Sequence, residues 1–205
     1  MADLMQALRD RIVANLAAFP RLAAEAGELR RAAVAILLSP LEGAPTFVLT
    51  RRALTMRRGA GNYALPGGNC EPGEDAVATA VRETQEELGV AVARDAALGL
   101  LDDFETLGGH LVTPVVLWSA EPLALNPDPI EVLIAWRLPL ADLDHPEAPR
   151  SEDHPDGGEK ILRMFANGQW INPPTAAWLY QFREVALHGR TVRVNTVGQP
   201  TWTAN

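Results

Sequence analysis

The sequence has a single cysteine, Cys70. No intrachain disulfide can form, which fits a reducing compartment. Lysine is almost absent: seventeen arginines stand against the one lysine, Lys160. Basic residues as a class are also outnumbered, with 18 Lys and Arg against 26 Asp and Glu and a net charge of -8. A deficit of positive charge argues against nucleic acid as a partner. No run of about eighteen apolar residues occurs, so no membrane partner is expected. Residues 1–20 have no uninterrupted apolar core of the secretory kind, because Asp3, Arg9, Asp10 and Arg11 break it up. The cytoplasm is therefore the expected location. What the chain does have is the composition of a folded domain, 47% hydrophobic and 21% charged over 205 residues. That length can bury a sizeable core without a metal or disulfide staple.

The charge is unevenly placed. Segment 30–58 holds six arginines and one acid, Glu42, whereas 68–90 holds six acids and one base, Arg82. Segment 121–160 is again acidic, with ten acids and three bases. A basic block followed by an acidic one suggests a site that handles an anion together with a cation. Solvated charged faces are the alternative reading.

Periodicity predicts the elements. Leu4, Leu8, Ile12, Leu16 and Phe19 sit at helical spacing, so 3–18 reads as an amphipathic helix within an N-terminal extension, 1–28. Residues 31–39 and 46–50 read as an antiparallel hairpin. Residues 59–73, rich in Gly and Pro, read as a loop, and 75–88 as a helix stopped by Gly89. Strands are expected at 96–104, 111–118 and 130–138, an acidic surface loop at 142–159, and a helix at 175–187. The tail, 190–205, has one strand-like stretch, Thr191 to Val194. No repeat or linker is visible, so 1–205 reads as one α/β (α+β) domain with a mixed sheet covered by helices. Either a monomer or a homodimer fits.

The helix at 75–88 carries the chemistry. At about 100° per residue, Glu83, Glu86 and Glu87 share one face, with Val77, Val81, Thr84 and Leu88 on another. Like charges this close destabilise a helix by a few tenths of a kcal/mol per pair. A hard divalent cation relieves that repulsion, and Mg²⁺ takes oxygen ligands while keeping several waters. Ahead of the helix, Pro66-Gly67-Gly68 lets a backbone approach closely, and Arg82 could pair with Glu74 to fix the loop against the helix. A solvated acidic face is the bland alternative.

Taken together, Gly68-x5-Glu74-x7-Arg82-Glu83-Thr84-x-Glu86-Glu87-x-Gly89-Val90 resembles the Nudix box. The family usually has an aliphatic residue where Thr84 stands, on the apolar face. The resemblance implies a Nudix fold, a mixed β-sheet sandwiched between helices with a loop–helix–loop metal site. It also implies hydrolysis of a diphosphate linked to another moiety, with Mg²⁺ or Mn²⁺ as cofactor. Glu83, Glu86, Glu87 and the Gly67 carbonyl are the implied metal ligands; Glu83, Glu87 and Arg82 are the implied catalytic set, with Arg82 and Glu74 in supporting positions. The general base stays open among Glu83, Asp102, Asp103, Glu105 and Glu131.

The preceding segment, Val48-Leu-Thr-Arg-Arg52-Ala53-x3-Arg57-x3-Gly61-x3-Leu65-Pro66-Gly67-Gly68, is similar to the extra motif of the coenzyme A diphosphatase subgroup. Weaker similarity runs through Val112–Val116, Asn126–Val132 and Pro139–Leu143. The subgroup often has His and Gln where this chain has Gly59 and Asn62. The resemblance implies a small-molecule substrate, coenzyme A or an acyl-CoA, with Arg52, Arg57, Gly67 and Gly68 as substrate contacts. Arginine suits this task because it binds phosphate through two parallel hydrogen bonds. Two alternatives remain: a Nudix hydrolase for another diphosphate, such as ADP-ribose or a dinucleotide, and a Nudix-fold binding module without catalysis. Cys70 reads as a loop thiol and His110 as a satisfied loop histidine; Trp118, Trp136 and Trp178 read as core, with Trp170 less settled.

Overall fold

A computed structural model describes residues 2–201. It is built on a mixed sheet whose central strand, β1 (Arg30–Leu41), is buried along nearly its whole length. β1 turns at Glu42-Gly43 into β2 (Ala44–Arg52), and the two pair antiparallel, as the hairpin pattern predicts. The glycine-rich stretch is not a plain loop. It contributes two short strands, β3 (Tyr63–Ala64) on β2 and β4 (Gly67–Asn69) on β1. After helix α2 (Ala76–Leu88) come β5 (Ala97–Leu100), β6 (Phe104–Thr106) and β7 (His110–Trp118). β7 lies parallel to β1 and completes the sheet's centre, and β8 (Val132–Pro139) returns to pair antiparallel with β2.

Alternation along β1 decides how the layers form. Ala33, Ala35 and Leu37 face a core with Ala80 and Leu88 of α2, whereas Ala32, Val34, Ile36 and Leu38 face the opposite core. That second core is filled from α1 (Ala2–Ala18) and α3 (Thr175–Phe182). A strand buried on both faces reads as a continuous apolar run, which is what residues 32–38 show. On α1, Leu8, Ile12 and Leu16 are buried while Leu4 is exposed, so the predicted stripe stops one turn short of the N-terminus. No helix among the described residues is long and apolar enough to cross a membrane.

Three expectations need correction. The strand at 96–104 is broken into β5 and β6 because Asp102 and Asp103 are buried and fully engaged. Asp102 accepts from the Leu22 amide, Gln181 and Arg193; Asp103 accepts from Arg21, Thr113 and the Ala24 amide. These bonds tie residues 21–24 to the sheet. Second, the acidic 142–159 segment is more than loop: β9 (Arg150–Glu152) pairs with β10 (Ile161–Ala166), which pairs with β11 (Gln169–Ile171). Third, Thr191 to Val194 forms no strand, and the tail beyond 201 lies outside the described residues. The 175–187 helix is present, but its last turn widens to π geometry at Arg183–Leu187.

Candidate active site

α2 is held at both ends by side chains the sequence supplies. Asp75 caps the N-terminus by accepting from the Ala78 amide at 2.9 Å, and Gly89 closes the C-terminus in the left-handed region at φ 65°. Thr84, the residue that departs from the box pattern, is fully buried and donates its hydroxyl to the Ala80 carbonyl at 2.7 Å. Its polarity is therefore satisfied within the helix, and the apolar face survives.

The carboxylate face is not simply solvated. Glu83 and Glu87 are 9% and 4% exposed, while Glu86 has 57% of its side chain in solvent. What covers the first two is the β4 loop. A methyl group added at Gly68 would stand 2.3 Å from a carboxylate oxygen of Glu83, so any larger residue would displace that carboxylate. At Gly67 it would stand 2.3 Å from the Ala33 carbonyl, because β4 pairs tightly with β1 there.

Arg82 organises this corner. It donates to Glu74 at 2.9 Å, to Glu83 and Glu86 at 2.8 Å each, and to the Asn69 carbonyl at 2.9 Å. Glu74 also accepts from Thr79 and the Glu71 amide, and with Arg82 these hold its carboxyl down to about 2. The predicted Arg82–Glu74 pairing thus locks loop to helix.

Electrostatically the pair is loaded. Burial raises the Glu83 carboxyl, with Arg82 opposing. Glu87 is pushed up to about 8, first by burial and then by the charge of Glu83; Arg52 opposes this and Glu131 adds to it. Two buried acids with raised protonation and all-oxygen donors fit a hard divalent ion in chemistry. Among the described residues, no three His, Cys, Asp or Glu side chains already stand at ligating spacing. Arg82 instead holds one oxygen each of Glu83 and Glu86.

Beside the β4 loop runs a groove in two parts. The open part, about 820 Å³, is lined by Gly67, Gly68, Asn69, Arg30 and Arg57 among others. A narrower pocket of about 410 Å³ continues from it toward Tyr63, Trp170, Asn172 and Trp178. Val34, Arg52, Arg58, Gly67 and His110 line both, and so form the junction. Of the predicted contacts, Arg52 is at the junction and Arg57 in the open part. Arg58 and Arg30 were not singled out by the motif; the arginine-rich block was the only signal for them. None of these four arginines has an acidic partner within salt-bridge distance among the described residues. Arg51, by contrast, braces the 59–62 turn by donating to the Gly61 carbonyl. His110 is also at the junction, where burial, Arg30 and Arg58 lower its affinity for a proton.

The open list of bases narrows. Asp102 and Asp103 are consumed by the bonds to residues 21–24, and Glu105 is exposed on β6, with no place in either part of the groove. Glu131 is exposed and also lines neither part of the groove, but its charge acts on both Glu83 and Glu87, so Glu83 and Glu131 stay on the list.

The NUDIX domain family pattern matches residues 29–165, from the first strand through β10. The chain belongs to the NUDIX family. A Nudix hydrolase of Photorhabdus laumondii, NudL, described as uncharacterized, is 39% identical over 99 residues, 48% of this chain and 53% of that one. Human mitochondrial coenzyme A diphosphatase NUDT8 is 38% identical over 116 residues, 55% of this chain and 49% of that one. The chain thus spans about half the length of the curated relatives it matches. Among solved structures, the Nudix hydrolase RenU of M. smegmatis superposes with a TM-score of 0.52 over 80% of this chain and 89% of that one, at 22% identity. That is a likeness of fold, and it agrees with the Nudix architecture described above.

Proposed function

We propose that this NUDIX chain hydrolyses the diphosphate of coenzyme A or an acyl-CoA, releasing 3′,5′-ADP and a 4′-phosphopantetheine species. The observation that carries this reading is the set of four arginines, Arg30, Arg52, Arg57 and Arg58, that have no acidic partner among the described residues and lie along a groove that starts at the Gly67-Gly68 loop. A substrate with a diphosphate and a further phosphate uses more cationic contacts than a plain diphosphate does. The motif from Val48 to Gly68 and the likeness to NUDT8 point the same way.

In this reading Glu83, Glu86 and Glu87 would hold Mg²⁺ or Mn²⁺, with the Gly67 carbonyl as a further donor. The bound ion supplies neutralisation of charge developing on the phosphoryl oxygens and a water made more acidic. Arg82 orients Glu83 and Glu86 while Glu74 anchors Arg82. Arg52 and Arg58 clamp the diphosphate at the junction, and Arg57 binds in the open part. Glu131 is the acid we assign to take the proton of the attacking water. One domain, monomeric or dimeric and acting in the cytoplasm, completes the proposal.

The test is a panel of coenzyme A, acetyl-CoA, NADH, ADP-ribose and nucleoside triphosphates with Mg²⁺ or Mn²⁺. Turnover of coenzyme A is expected. Turnover of ADP-ribose with none of coenzyme A would reject the substrate, and no turnover of any compound would favour a binding module.

A further inference from the structure

Much of the narrow pocket is built from chain that follows the family match. Gln169, Trp170, Asn172, Pro174, Trp178 and Gln199, all beyond residue 165, are among its lining. Among the described residues, none beyond Ile130 lines the open part. Five of the six belong to β11, α3 and the link between them. Gln199 stands apart, in the C-terminal stretch after α3. Its backbone is anchored on β10 and the turn before it. The Gly198 amide donates to the Lys160 carbonyl at 2.9 Å, and the Gln199 carbonyl accepts from His154 Nε2 at 3.0 Å. Gly198 lies beside Ile161 so closely that an added methyl would stand 2.2 Å from the Glu159 carbonyl oxygen. The Gln199 side chain then crosses to the β6–β7 hairpin. Its Oε1 accepts from the Leu107 amide at 3.1 Å, and its Nε2 donates to the Glu105 carbonyl at 2.9 Å. Those two partners flank Thr106, which lines the narrow pocket together with Gly108.

We propose that Gln199 is a positioning residue for substrate binding: it holds the β6–β7 turn as a fixed wall of the narrow pocket, so that the C-terminal stretch sets the affinity for the end of the substrate that enters there. The amide suits the task because one group supplies both the acceptor for Leu107 and the donor for Glu105. A wall held in place beforehand spares the ligand the cost of ordering it. The Arg82 network that holds Glu83 and Glu86 shares no hydrogen bond with Gln199 among the described residues. Gln199 therefore acts on binding and leaves the chemical step alone. The assignment rests on the coenzyme A reading.

Steady-state kinetics and calorimetry on the whole chain with Mg²⁺ test it, the latter with 3′,5′-ADP and with 4′-phosphopantetheine. Gln199→Ala should raise KM for coenzyme A about fivefold and leave kcat within about twofold. It should weaken one product about fivefold and the other less than twofold, because only one end of the substrate occupies the narrow pocket. Gly198→Ala, which must lift the stretch away from Glu159, should weaken the same product. A brace that matters to the fold alone would lower the melting temperature of Gln199→Ala with neither product selectively weakened, and that result overturns the assignment. Equal weakening of both products, a fall in kcat at unchanged KM, or opposite selectivity in the two variants overturns it as well. A wild-type chain that turns over no coenzyme A sinks the substrate reading before any variant is made, so the two failures are distinct.

Discussion

Replacing Glu87 with glutamine should make the metal-free protein more stable at alkaline pH while abolishing hydrolysis. Glu87 is 4% exposed, and its carboxyl rises from 4.5 to about 8. The folded state therefore holds a proton on Glu87 that the unfolded chain releases above 4.5. Stability from this group is fully present below about 4.5, declines as pH rises, and is gone above about 8. At ~1.4 kcal/mol per pKa unit the span corresponds to about 5 kcal/mol, and water penetration at the groove halves that to roughly 2–3 kcal/mol. Glutamine has nearly the same shape and does not titrate. At pH 5 the two proteins should melt together; at pH 8.5 in chelator, Glu87→Gln should melt about 4–10 °C higher. Added Mg²⁺ or Mn²⁺ should stabilise the wild type more than the variant. Parallel stability–pH curves for the two would refute the buried-charge reasoning. Hydrolysis at the wild-type rate would refute the metal assignment.

Gly68→Ala sets a methyl 2.3 Å from a Glu83 oxygen; the carboxylate must move, and turnover should fall about 10²-fold in steady-state assays. Arg58→Ala and Arg52→Ala should each raise KM for coenzyme A about tenfold, as should Arg57→Ala more weakly, with kcat least affected in Arg57→Ala. An unchanged KM in Arg52→Ala would remove the junction from the binding site. Asp102→Asn breaks a buried pair with Arg193 that is 1% exposed on the acid side; it should cost about 3 kcal/mol in denaturant titration, with kcat of the folded enzyme unaltered. A selective loss of kcat there would restore Asp102 as a base.

The box was legible because its spacing is local. A capped helix with Glu83, Glu86 and Glu87 on one side follows from about 3.6 residues per turn, and the Arg82–Glu74 bridge lies within eight positions. The same projection misjudged exposure. It shows which carboxylates share a face, but the cover over Glu83 and Glu87 comes from β4 pairing with β1, a contact between residues more than thirty positions apart. Asp102 and Asp103 looked like possible bases for the same reason: their partners Arg21, Gln181 and Arg193 lie about eighty to ninety positions away. The 142–159 segment was hidden by its composition, since the strand β9 inside it is defined only by pairing with β10.

Charge alone does not show which arginines and acids brace the fold; pairing identifies several that do. Arg21, Arg82, Arg183 and Arg193 are each committed to a carboxylate, and Asp102, Asp103 and Glu184 are buried with their cations in contact. Breaking any of these exposes an unpaired buried charge, so their first role is stability. Among the described residues, Arg30, Arg52, Arg57 and Arg58 have no such commitment, and Glu87 is buried without a salt bridge. A cation on a groove with no carboxylate partner is free to bind phosphate at no cost to the fold, and a buried acid with no contacting cation gains most from a metal. The net charge of -8 therefore does not oppose the proposed polyanionic substrate, because that substrate would meet a local surface whose arginines have no acidic partner among the described residues.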